Sequence, residues 1–238
     1  MQQDIIVAVR AELQQQSDTK TKDMAQHYFK EKVVFYGVKT ALVSRIARIY
    51  FQQVKHLRKG EIFILCEELL KSGYSEEAFI ASAWSYNLRQ KYEEADFAIL
   101  ENWLYKYVDN WAKCDTLCNH TIGAFMEKYP QYLQNLKAWA KLDNRWLRRA
   151  AAVSLIIPAR AGKYLDDIIE IADILLLDGD DLVQKGYGWL LKEASRKHQG
   201  EVFDYVMRHR AVMPRIALRY AIEKMPADLK HRAMSRAL

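Results

Sequence analysis

An all-α fold of stacked helical pairs is what this sequence predicts, and three observations predict it. Apolar residues recur at helical spacing along nearly the whole chain, and no run of strict alternation lasts long enough to argue for a sheet. Signals for helix starts return at a period of about 35 residues. Only 9 Gly and 4 Pro punctuate 238 residues, of which 50% are hydrophobic and 28% charged, the profile of a helix-rich chain that buries a substantial core rather than of a disordered one.

The elements follow in order. The apolar run Ile5 to Val9 is short and leads straight into Arg10, Glu12 and a Gln-rich stretch, so it does not read as a signal peptide. Leu42, Ile46, Ile49 and Tyr50 then mark one helix face, and Trp146, Ala150, Val153 and Ile157 mark a later one. Between these runs, Thr40, Ser75, Asn110 (with Asp109), Asn144 (with Asp143), Asp180 and Pro214 stand where side-chain acceptors or an early proline start a helix. They are 35, 35, 34, 36 and 34 residues apart.

A period of that length holds two helices. One pair cannot bury its own apolar face, so successive pairs must stack. The units fall at about 20–56, 58–90, 94–127, 131–158, 163–197 and 200–225 within a single domain spanning 1–238. No sharp consensus marks them, and a degenerate HEAT-like array forming a curved α-solenoid fits best. In such an array the second helices, starting near 110, 144 and 180, line the side where long partners bind.

A net charge of +6 asks for an acidic partner, nucleic acid or anionic membrane. The stack leaves no amphipathic helix over for a membrane surface, and no apolar window approaches the roughly 20 residues of a span. A cytoplasmic monomer is expected. Cys66, Cys114 and Cys118 are too few for a disulfide framework. Cys114 and Cys118, four apart beside His120, lack zinc spacing and read as small core residues, so no metal is expected.

Candidate chemistry sits on those second helices. Trp111 and Asp115 are four apart and share a face; alone, the pair also reads as a core indole beside a solvated charge. Arg145, Arg148 and Arg149 crowd one and a half turns and repel one another unless an anion answers them. Lys185, Gly186, Gly188, Trp189 and Lys192 follow on the next such helix. Two glycines inside a helix imply close approach of a neighbour or ligand. Arg208, Arg210, Arg215, Arg219, Lys230, Arg232 and Arg236 close the C-terminal end. Spread along the late repeats, these cations would form a stripe that tracks a phosphate backbone.

With these landmarks assembled, the chain resembles the AlkD-like DNA alkylation repair family of HEAT-like DNA glycosylases. The resemblance runs from about Met24 to Lys224. It rests on Phe35-Tyr36-Gly37-Val38-Lys39-Thr40, Asn110-Trp111-Ala112-Lys113-Cys114-Asp115, Asp143-Asn144-Arg145-Trp146-Leu147-Arg148-Arg149-Ala150, Gln184-Lys185 with Gly188-Trp189, and Ala217-Leu218-Arg219-Tyr220-Ala221-Ile222-Glu223-Lys224, in that order. It implies Asp115 as the catalytic carboxylate, Trp111, Trp189 and Tyr28 as the cleft for lesion and sugar, and Arg149 at the flanking phosphate. Arg148, Lys185, Lys192 and Arg219 are the further phosphate contacts expected from the basic stripe.

The resemblance also implies work on the lesion without a deep extrusion pocket, and hence room for bulky adducts. The chain departs from the family's pattern at Ala41, where Pro followed by a basic pair is common, and at Asn110 and Ala112, where some members carry an extra Trp and Asp. The expected activity is monofunctional hydrolysis of the glycosidic bond of N3- or N7-alkylated purines in duplex DNA, with no cofactor. Lys113, the lysine nearest the motif, is expected to be solvated. Two alternatives stay open: a non-catalytic HEAT-like binder of damaged or branched DNA, and a scaffold whose basic stripe meets an acidic protein.

Overall fold

The structure, a computed structural model, describes residues 2–235, so Arg236 of the C-terminal basic stretch lies outside the described residues. Those residues form helices and connecting turns, with no strand. They divide into two compact units, 1–117 and 118–238.

The first unit holds α1 (Gln2–Gln15), α2 (Thr19–Gln26), α3 (Thr40–Val54), α4 (Lys59–Lys71), α5 (Ser75–Asn87), α6 (Asp96–Tyr107) and α7 (Trp111–Thr116). Here α4 pairs with α5, and α5 packs between α3 and α7, while α4 lies against α6. The layers meet around large side chains. Trp84 of α5 is fully buried and donates its indole N–H to the Ala47 carbonyl of α3 at 2.8 Å. Phe63 of α4 meets Trp103 of α6 edge to face at 5.3 Å, a favoured aromatic geometry.

The α3 face is turned by one residue from the expected one. Its buried stripe is Val43, Ile46, Ala47 and Val54, with Ile49 45% exposed. The sequence offers apolar residues on both flanks of Ile46, and packing on α5 takes the Val43 flank.

The helical backbone passes from α7 through a π-turn, Leu117–Ile122, into α8 (Gly123–Lys128). Such turns are rare and insert an extra residue into the helix. The second unit continues with α9 (Leu133–Trp139), α10 (Arg145–Val153), α11 (Ile156–Arg160), α12 (Leu165–Leu175), α13 (Asp181–Ala194), α14 (Gln199–His209), α15 (Arg215–Ala221) and α16 (Ala227–Met234). Helices α10, α13 and α15 pack in succession as one layer; α9 and α12 pack as another, with α14 joined to α13 and α15.

The expected rhythm is present as helix starts at Thr40, Ser75, Trp111, Arg145, Asp181 and Arg215. Asn110, Asn144 and Asp180 cap with their side chains, each accepting a backbone N–H from the first turn. Thr40 and Ser75 are instead the first helical residues and follow Lys39 and Tyr74, which make no side-chain cap. Cys66, Cys114 and Cys118 are buried and in no disulfide, as core residues should be. No described helix is long and apolar enough to cross a membrane.

Candidate active site

Helix α7 is locked at its start. Asn110 Oδ1 accepts the Lys113 backbone N–H at 3.0 Å, and Asn110 Nδ2 donates to Asp109 Oδ1 at 2.8 Å. The Lys113 ammonium donates to the Gly73 carbonyl at 2.8 Å and to Asp109 Oδ2 at 3.0 Å. Lys113 is only 3% exposed, which corrects the expectation of a solvated lysine: its charge ties α7 to the turn before α5.

On the helix so fixed, Trp111 and Asp115 lie one turn apart and both are half-buried. The Trp111 indole N–H donates to the Tyr28 carbonyl at 3.2 Å. The Phe29 ring stacks on Trp111 with centroids 5.0 Å apart and planes 15° from parallel. Tyr28 itself is 73% exposed, so its main chain holds Trp111 while its ring stays open to solvent.

The segment carrying Tyr28 and Phe29 has no helix of its own and is pinned at two places. Gln26 Nε2 donates to the Glu31 carbonyl at 2.7 Å and its Oε1 accepts the Val33 N–H at 3.1 Å. Further on, the buried Glu76 carboxylate accepts the N–H groups of Tyr36, Gly37 and Val38 at 3.1, 2.9 and 3.2 Å. Its neighbour Glu77 accepts the Tyr36 hydroxyl at 2.7 Å and pairs with Arg10 at 3.1 Å. Gly37 is at φ +93°, and a Cβ there would strike the Asp18 carbonyl oxygen, so the turn requires glycine.

In the second unit the arginine cluster of α10 is answered from within. Arg145 pairs with Asp180 at 3.0 Å. Arg148 pairs with both oxygens of Asp178, at 2.6 and 3.4 Å, and its Nη1 donates to the Leu142 and Asp143 carbonyls at 3.0 and 2.6 Å. All three of its nitrogens are thereby engaged, and Arg148 staples α10 to the turn before α13. Arg149 is 5% exposed, and its Nη1 donates to the Leu182 carbonyl.

On α13, Trp189 is half-buried. Lys185 pairs with Asp181 at 3.0 Å, and Lys192 pairs with Glu223 at 2.9 Å above the Tyr220 ring. Arg219 of α15 is exposed. The structure thus places Trp111 and Asp115 one turn apart on α7 in the first unit, with the Tyr28 main chain on Trp111. It brings Arg149 beside α13 in the second, where a Cβ at Gly186 would lie 3.4 Å from Arg149 Cγ.

Sequence reasoning missed Phe29, Glu76 and the π-turn. Phe29 meets Trp111 across 82 residues of chain with no local signal. Glu76, in the first turn of α5, has the sequence signature of an exposed acid favoured by the helix dipole. No group of three or more metal-ligating side chains occurs among the described residues.

The profile of the DNA alkylation repair enzyme family matches residues 9–225. The chain belongs to this family. Among solved structures, a predicted DNA alkylation repair enzyme from Enterococcus faecalis superimposes with a TM-score of 0.79 at 15% identity, covering 89% of this chain and 98% of that one. At that identity the likeness establishes the fold, an all-α array of helical repeats. No curated protein matches. Membership places the protein in alkylation repair, with DNA as its partner.

Proposed function

We propose that this family member is a monofunctional DNA glycosylase that hydrolyses the N-glycosidic bond of N3- and N7-alkylated purines in duplex DNA and leaves an abasic site. The observation that carries the reading is the pair Trp111 and Asp115, one turn apart on a clamped helix and both reachable from solvent.

Alkylation at either nitrogen makes the base cationic, so it leaves as a neutral molecule and needs no strong general acid. The deficit falls on the sugar. As the bond to the anomeric carbon breaks, its electron pair departs with the base and the deoxyribose takes on oxocarbenium character. A fixed carboxylate, Asp115, stabilises that cation and orients the water that adds to the carbon; the proton lost from the water passes to the carboxylate or to solvent. Trp111 offers an electron-rich face, which favours a cationic lesion over a neutral nucleotide.

Lys113 supports the monofunctional assignment. An amine held by a carbonyl and a carboxylate at 3% exposure is not available to form a Schiff base with the sugar. Arg149 at the flanking phosphate and Trp189 as a second aromatic wall enter through the resemblance, as does a ring role for Tyr28. Lys185 and Arg219 are the further phosphate contacts, while Lys192, paired with Glu223, braces α13 against α15. The reading takes the two units as one HEAT-like domain acting as a monomer on the nucleoid in the cytoplasm.

The test is base release from methylated duplex DNA. Wild type should release 3-methyladenine or 7-methylguanine, and Asp115→Asn should lower the rate roughly 10²-fold or more. Wild type and variant that are equally inert while both bind duplex would replace the reading with that of a non-catalytic binder.

A further inference from the structure

We propose that Phe29 is a positioning residue that holds Trp111 in one orientation with a single face open, and that it thereby sets how the indole meets the lesion; the second half rests on the glycosylase reading above. An indole on a half-buried helix position can rotate about its side-chain torsions. Here two adjacent residues remove that freedom in different ways. The Tyr28 carbonyl takes the indole N–H at 3.2 Å and fixes the ring's edge, while the near-parallel Phe29 ring covers one face.

Phe29 is itself backed by Phe35, tilted at 54° with centroids 5.5 Å apart, and Phe35 is buried. The main chain between them is pinned by Gln26, and just beyond Phe35 by Glu76. The stack therefore runs from core to surface, Phe35 to Phe29 to Trp111, and its outer member alone belongs to the candidate site.

The chemistry gives this arrangement a consequence. Attraction between a cation and an aromatic ring acts over the ring face and is lost toward the edge. A Trp111 free to turn would offer that face only part of the time. One with its edge tethered and its rear face covered offers it continuously, at a fixed position relative to Asp115 one turn away. Small misplacements of a positioning group lower turnover steeply even when binding is unchanged.

The experiment compares Phe29→Leu, which keeps an apolar side chain but loses the plane, with Phe29→Tyr, which keeps the plane. Protein labelled with 5-fluorotryptophan reports Trp111 by fluorine NMR, its resonance assigned with Trp111→Phe. Phe29→Leu should shift or broaden that resonance while the other tryptophan signals stay in place, and Phe29→Tyr should restore it. In base release from methylated duplex, Phe29→Leu should lower kcat by about two- to ten-fold, the factor one aromatic pair is worth, with KM for DNA unchanged.

In a Trp111→Ala background the same substitution should change nothing further, because Phe29 acts through the ring already removed. An unmoved resonance, or a loss of equal size in the Trp111→Ala background, overturns the proposal. Wild type that releases no base overturns the glycosylase reading instead, and the resonance alone then decides whether Phe29 holds Trp111.

Discussion

Two glycines on α13, two residues apart, should respond to the same substitution with opposite sign. A Cβ built on Gly188 lies 2.8 Å from the Ala217 carbonyl oxygen, 2.8 Å from Tyr220 Cβ and 3.0 Å from Ala217 Cα. Ordinary carbon contacts sit at about 3.5–4.0 Å, so α15 would have to retreat by roughly 0.7 Å, and two of the three obstacles are main chain. Alanine recovers about 1 kcal/mol of helix propensity, but overpacking a close-packed interface typically costs about 1–3 kcal/mol and sometimes more. With backbone on the receiving side the upper half of that range applies, and Gly188→Ala should lose about 1–2 kcal/mol net.

At Gly186 the nearest atoms are Arg149 Cγ at 3.4 Å, Arg149 Nη1 at 3.6 Å and Val153 Cγ1 at 3.7 Å. These are side-chain contacts of ordinary length, so Gly186→Ala should keep most of its propensity gain and be neutral or more stable by up to about 1 kcal/mol. At about 2–4 °C per kcal/mol for a chain of this size, a thermal melt followed by circular dichroism should show Gly188→Ala lower than wild type by about 2–8 °C and Gly186→Ala level or higher. A Gly188→Ala protein that melts at or above wild type would refute the close approach of α13 and α15.

Burial alone would raise the Glu193 carboxyl, but hydrogen bonds from Arg160 at 2.8 Å and Arg196 at 2.6 Å outweigh it and hold the group below its usual range. A depressed folded value stabilises the protein above the unfolded pKa and is lost as pH falls through the folded one. Wild type should therefore lose melting temperature as pH drops below about 4.5, and Glu193→Gln should flatten that fall; parallel curves would contradict it. Duplex binding measured against salt separates two arginines of the basic stripe: Arg219→Ala should reduce the slope of log affinity on log salt by about one, whereas Arg148→Ala should lower the melting temperature and leave the slope alone. A slope change with Arg148→Ala would return that residue to the phosphate contacts.

The helical rhythm was legible because it is written in local chemistry. Asn110, Asn144 and Asp180 cap the helices that follow them with their own side chains, and a cap needs only three or four residues of context. Which face of α3 turns inward was not local. Ile46 is buried in either register, and only the partners packed on α3, α5 and α1, distinguish Val43 from Ile49. The pairing of Trp111 with Asp115 was legible from spacing alone; the rings and carbonyl that orient the indole were not, because they come from a segment without periodicity. Lys113 shows the same limit, since its two acceptors, Gly73 and Asp109, include one 40 residues away.

The ion pairs that answer the arginine cluster follow a rule that the sequence did contain. Arg148 reaches Asp178, 30 residues on; Arg160 reaches Glu193, 33 on; Lys137 reaches Glu170, 33 on; Lys192 reaches Glu223, 31 on. In the first unit, Lys59 reaches Asp96, 37 on. These separations are close to the repeat period itself, so a cation of one helical pair meets a carboxylate of the next at an equivalent height in the stack. In a repeat protein, then, a cluster of like charge on one helix is answered about one period away, and only cations whose counterpart position lacks an acid remain for an external anion. By that criterion Arg148 and Lys192 belong to the joints between repeats. Arg149 is buried as well, and its bond to the Leu182 carbonyl holds its guanidinium against the first turn of α13.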